Sequence, residues 1–120
     1  MSKQIINVDV GNIEQSFQRI VRTWNAAQAG TVNEPENHLV FESITGMLSI
    51  LTPKRLELLR CLRKKGAMSV RALSKTLKRD YKNVHTEVKA LEAVDLIQRT
   101  DNNLLIAPWD VIDAHVSLVA

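Results

Sequence analysis

A chain of 120 residues with 45% hydrophobic and only 4% aromatic residues is one domain's length. Its core must be aliphatic, and it has no extended aromatic platform for stacking on single-stranded RNA. The net charge of +3 is unevenly spread: residues 53–100 hold 13 Lys/Arg against 5 Asp/Glu, residues 1–52 hold 3 against 5, and residues 101–120 hold Asp101, Asp110 and Asp113 with no basic residue. A basic middle between acidic ends points to a polyanion, most commonly nucleic acid.

The single cysteine, Cys61, excludes an intramolecular disulfide and suits a reducing compartment. No run approaches the roughly 18 apolar residues of a membrane span, and "MSKQIINVDV" lacks the apolar core of a signal peptide. The expectation is a cytoplasmic protein without a membrane partner.

Along the chain, "QIINVDV" is a brief strand or an ordered arm. Ile13, Phe17, Ile20 and Trp24 then recur at helical spacing, with Val21 beside them, Asn12 as N-cap and Gly30 as stop. "TVNEPEN" reads as a loop broken by Pro35, and "HLVFES" as a short strand. "SITGMLSIL" predicts a short helix with Ile44, Met47, Leu48 and Leu51 on one face. Thr52 and Pro53 supply a cap and a first helical position. The helix over residues 54–65 carries Leu56, Leu59 and Leu62 inward and ends at Gly66. Ser69 caps a second helix with Val70, Leu73 and Leu77 inward. After a break at Lys78 and Arg79, Asp80 caps a third with Val84, Val88 and Leu91 inward. "LIQRT", the turn "DNN" and "LLIAPW" form a hairpin, and residues 110–120 are a further strand or a short helix.

Three helices followed by a hairpin is the winged helix-turn-helix arrangement. The expected fold is α+β, mostly α, with an N-terminal helical and strand extension: residues 1–52 as extension, 53–109 as the winged helix-turn-helix and 110–120 as a tail. In such a fold the second helix of the pair reads the major groove with its N-terminal residues. The third helix here has a sparse inward stripe and a polar outer side, where Lys82, Asn83, His85 and Thr86 are the expected base readers. Asn suits adenine, Lys suits guanine, and the Thr methyl packs on thymine. Ser69 and Arg71 at the preceding helix N-terminus, with Lys75, Lys78, Arg79, Lys89 and Arg99, are the expected phosphate contacts. Polar residues on an outer helical face describe most surface helices; the basic cluster, taken to lack acidic partners, and the element order favour the DNA reading. Asp80 is read as a cap. The Tyr81 hydroxyl donates to a phosphate, or its ring covers the core edge.

The segment "LTPKRLELL", then "SVRALS", then "RDYKNVH" at residues 79–85 resembles MarR-like winged-helix regulators. More narrowly, it resembles a family of small DNA-binding proteins sharing the "LTPKR…RDYKNVH" pattern, over about half the chain. The "WNAAQAG" and "FESITGMLSIL" segments suit the same family with less specificity. The resemblance implies an antitoxin and autorepressor of a toxin–antitoxin pair. One departure is Asp95, where related winged helices usually carry Gly to end the reading helix; Asp adopts left-handed backbone less readily.

His38, His85, His115 and Cys61 lack metal-ligand spacing, and no phosphate loop, nucleophile elbow or paired carboxylates occur. The expectation is therefore no metal, no cofactor and no catalysis. Cys61 is read as a small buried hydrophobe, with a redox switch as the alternative. The stripe of Ile13, Phe17, Ile20, Val21 and Trp24 packs on its own chain, joins a homodimer suited to two DNA half-sites, or grips a toxin. The rival function is a protein-interaction module that neutralises a toxin, with DNA binding secondary.

Overall fold

The computed structural model describes residues 3–11, 17–18, 21–22, 24–25 and 37–118. Within them the elements are β1 (Ile5–Val10), β2 (Asn37–Phe41), α1 (Ile44–Ile50), α2 (Pro53–Lys65), α3 (Val70–Leu77), α4 (Tyr81–Ala93), β3 (Gln98–Arg99), β4 (Leu105–Ile106) and β5 (Val111–Val116). Phe17, Gln18, Val21, Arg22, Trp24 and Asn25 are helical as well. The fold is α+β. It forms two compact units, Met1–Leu48 with Val111–Ala120, and Ser49–Asp110.

The first unit is built on a parallel sheet of order β2-β1-β5. "QIINVDV" supplies its central strand, and residues 110–120, set apart in the sequence as a tail, supply β5 beside it. Register places Ile6, Val8 and Val10 on one face with Ile112, Ala114 and Val116, and with Leu39 and Phe41 of β2. The other face carries Asn7, Asp9, His38, Asp113 and His115. β1 is buried from Ile6 to Val10, so its polar groups require partners. Asn7 Nδ2 donates to the Asn37 carbonyl at 3.4 Å, and Asp9 Oδ2 lies 3.4 Å from His38 Nδ1.

The second unit follows from its caps. Thr52, Ser69 and Asp80 each accept a backbone N–H three residues on, from Arg55, Ala72 and Asn83. Gly66 closes α2 at φ +94° by donating to the Leu62 carbonyl. The core is aliphatic: Leu58, Leu62, Leu73, Val84, Val88, Leu91, Leu96, Ile97 and Leu105 are essentially inaccessible. Each such side chain contributes about 2 kcal/mol of transfer free energy.

Three packing expectations are corrected. Leu58, with Leu59 and Leu62, forms the inward side of α2, while Leu56 is half-buried. Spacing of three residues drifts by about 60° per step around a helix, so the 56–59–62 series cannot stay on one narrow face. Leu77 is half-buried at the end of α3. In α1 only Met47 is buried, with Ile44 and Leu48 exposed.

The β3–β4 hairpin is two residues per strand and turns through Asn103 at φ +63°. It is tied to the start of α3 by reciprocal Met68–Leu105 backbone bonds of 3.1 and 2.8 Å. Asp95 does take the left-handed conformation, at φ +63°. Its carboxylate accepts from Gln98 Nε2 at 3.0 Å, and its carbonyl accepts from Trp109 Nε1 at 2.9 Å. Local hydrogen bonding of this kind is how Asp tolerates that region.

Candidate nucleic-acid interface

α3 and α4 meet through a short turn. Lys78 ends α3 in the left-handed conformation, φ 56° and ψ 46°, and its N–H with that of Arg79 reaches back to the Lys75 and Ser74 carbonyls. Asp80 then opens α4 by accepting from Asn83 N at 3.3 Å, so its role is the cap read from the sequence. Leu73, Val84 and Val88 are buried, and Lys82, Asn83, Thr86 and Lys89 are exposed. His85 is half-buried.

The outward side chains differ in freedom. The Thr86 hydroxyl donates to the Lys82 carbonyl at 3.0 Å, which spends its proton but leaves its methyl outward. Lys75, Lys78, Lys82 and Lys89 are exposed and have no carboxylate within ion-pair distance among the described residues. Ser69 is occupied as the α3 cap. Arg71 leans on Tyr81, its guanidinium carbon 5.5 Å from the ring centre, and the same ring lies 5.9 Å from that of His85 at 37°. Tyr81 thus joins the N-termini of α3 and α4 on the exposed side rather than covering the core, and it is 44% exposed.

Arg79 and Arg99 are engaged within the chain. Arg79 donates to the Lys54 carbonyl at 3.3 Å, and its guanidinium lies 3.0 Å from Glu57 and 3.5 Å from Glu87. The expectation that the basic corner lacks acidic partners is corrected at this residue. Arg99 forks onto Glu92 with contacts of 2.9 and 3.2 Å and also reaches Asn103 Oδ1. Those hydrogen bonds hold the Glu92 carboxyl below its ordinary value of 4.5, against the opposing effect of burial, and they raise Arg99 in return.

Sequence reasoning missed the acidic residues that hold these arginines. Glu87 lay in plain view: it stands three residues after Val84, inside the inward stripe of α4, where a carboxylate needs a cation. Of the nominated partner stripe, Phe17, Val21 and Trp24 are exposed, and Ile13 and Ile20 lie outside the described residues. Cys61 is half-buried in α2. No group of three or more metal-ligating side chains, and no helix long and apolar enough to cross a membrane, occurs among the described residues.

The second unit is thus a run of three helices and a short antiparallel hairpin, with an exposed basic helix face at its centre. A family model described as HVO_A0114 matches residues 50–114, more than half of the chain, and the chain belongs to that family. No curated protein and no solved structure matches it.

Proposed function

We propose that this chain is a sequence-specific regulator of transcription that binds double-stranded DNA, a repressor whose residues 53–109 act as a winged helix-turn-helix. The observation that carries the reading is the outer side of α4. Lys82, Asn83, Thr86 and Lys89 stand exposed on a helix whose opposite side is locked by Val84, Val88 and Leu91. α4 lies in the major groove, with Lys82, Asn83, His85 and Thr86 toward base edges. Arg71, Lys75, Lys78 and Lys89 hold phosphates, Ser69 presents the α3 N-terminus, and Arg79 mainly braces the turn.

A salt titration on random duplex and on DNA from the protein's own promoter tests this. About five cationic contacts per chain give a dimer a slope of log K against log salt near −9. A preference of at least about a thousandfold for its own promoter marks sequence reading. Lys82→Ala weakens both duplexes, whereas Asn83→Ala weakens only the promoter, by about 1–3 kcal/mol. A flat slope with no binding sinks the reading.

Antitoxin activity is the second reading. It rests on the resemblance to antitoxin–autorepressors and is favoured by the exposure of Phe17 and Trp24, which are 64% and 58% accessible. Trp24→Asp then lowers capture of a co-expressed toxin while Lys82→Ala leaves it intact.

A further inference from the structure

Among the described residues, no strand uses the hydrogen-bonding groups on the outer edge of β5. In the parallel ladder with β1, the Val111 N–H donates to the Gln4 carbonyl at 3.2 Å. Backbone groups alternate along a parallel strand, so Val111, Asp113 and His115 turn theirs toward β1 while Ile112, Ala114 and Val116 turn theirs outward. β5 ends the β2-β1-β5 order, and no strand lies beyond it among the described residues. Edge strands usually deter partners with Lys or Pro; "VIDAHV" has neither, and all but Ile112 are exposed.

We propose that a second copy of this chain occupies this edge. β5 pairs antiparallel with the partner's β5 about a two-fold axis at Ala114, joining two three-stranded sheets into one. The residues from Ile112 to Val116 read apolar, acid, small, imidazole, apolar, and this order is its own complement when reversed. With Ala114 opposite the partner's Ala114, Ile112 faces the partner's Val116, and Asp113 faces the partner's His115. The same register sets every outward-turned residue against an outward-turned residue, as hydrogen-bonded pairs of an antiparallel ladder require.

Other registers fare worse. A shift by one residue sets outward backbone groups against groups already bonded to β1. A shift by two in one direction opposes Asp113 with the partner's Asp113, and like charges directly opposite destabilise a sheet. In the other direction His115 opposes the partner's His115, and Asp113 faces the partner's Ser117, keeping only the contact of 3.7 Å to His115 of its own strand. Of these registers, only the Ala114-centred one satisfies the backbone and sets each Asp113 against an imidazole of the partner. It also keeps Ile112, Ala114 and Val116 on the apolar face that Ile6, Val8 and Val10 occupy, so the partner extends that face.

The inference stands apart from the DNA reading because its readout needs no DNA. Sedimentation of the full chain at micromolar concentration should show a dimer. Ala114→Pro removes one outward N–H that the chain's own fold does not use, and it should give a monomer with the circular dichroism of the wild type. Asp113→Lys should raise the dimer dissociation constant at least about tenfold, the size expected when a cross-strand carboxylate–imidazole contact is lost. Adding His115→Glu should restore it.

A cross-link reports the register, and it holds even where the proline variant misfolds. On a Cys61→Ser background, Ala114→Cys sits about 5.5 Å from its counterpart, within disulfide reach, and should form a linked dimer on oxidation. Val111→Cys, which faces the partner's Ser117, should not. A chain that is monomeric at every concentration overturns the proposal, including one that instead binds a foreign peptide strand. So does a dimer that survives Ala114→Pro and links as readily through Val111→Cys as through Ala114→Cys. In either case a chain that still binds duplex with a steep salt slope leaves the DNA reading standing.

Discussion

The guanidinium carbon of Arg71 lies 5.5 Å from the centre of the Tyr81 ring, which ties the first turn of α3 to the first turn of α4. Both residues are exposed, so the contact contributes little to the core; it fixes where a cation stands relative to the reading helix. Such a contact on an exposed surface is worth about 0.5–1 kcal/mol.

Tyr81→Ala should therefore weaken duplex binding about two- to fivefold, the range that coupling spans. In an Arg71→Ala background it should do markedly less. Anisotropy titrations of the four combinations give the coupling directly. Tyr81→Phe keeps the ring and should bind like the wild type. If it instead loses as much as Tyr81→Ala, the hydroxyl is the working group and holds a phosphate.

Arg79 should behave as a structural residue. Its side chain is 18% accessible and faces Glu57, Glu87 and the Lys54 carbonyl. Arg79→Ala leaves Glu87, at 19% side-chain accessibility, without its cation, and should cost about 2 kcal/mol of stability. Urea denaturation reads this. A variant with unchanged midpoint but a shallower salt slope for DNA would return Arg79 to the phosphate contacts.

Glu92 and Arg99 predict a pH dependence. Because the Arg99 hydrogen bonds lower the Glu92 carboxyl in the folded protein, the pair adds stability above the ordinary carboxyl value of 4.5. That stability disappears as pH falls through the folded value below it. At pH 7, Glu92→Gln should cost no more than about 1 kcal/mol, since both side chains are partly exposed, and the difference from wild type should shrink as pH falls below 4.5 through the lowered folded value. The same substitution frees Arg99 at the hairpin, so duplex affinity should rise while stability falls. A stability gap that does not narrow as pH falls below 4.5 would remove the ion pair as its cause.

Local features were legible in the sequence because their causes are local. The caps at Thr52, Ser69 and Asp80 and the stop at Gly66 each involve a hydrogen bond within four residues. The core residues Leu73, Val84, Val88 and Leu91 followed from periodicity. What escaped depends on distant partners. Leu56, Leu58 and Leu59 all fit some helical stripe, and the choice of Leu58 is made by what packs against α2. Arg79 looked like a free cation because Glu57 lies 22 positions earlier. The pairing of β1 with β5 joins segments about a hundred residues apart, and no periodicity marks it. Asp95 was read as a poor substitute for Gly, yet it keeps the left-handed turn and adds an anchor for Gln98.

The parallel pairing of β1 with β5 also imposes an order on synthesis. Residues 49–110 emerge from the ribosome as a contiguous stretch holding their own core, caps and hairpin. The sheet that begins at Ile5 gains its third strand only when Val111–Val116 appears. Domains commonly fold as they emerge, so the helical head can be complete on a nascent chain whose sheet is still two-stranded. A frameshift or early stop just after Asp110 would leave that head whole. It would also leave β1, the most buried strand, with one flank unpaired, the kind of bare edge that invites association with other chains.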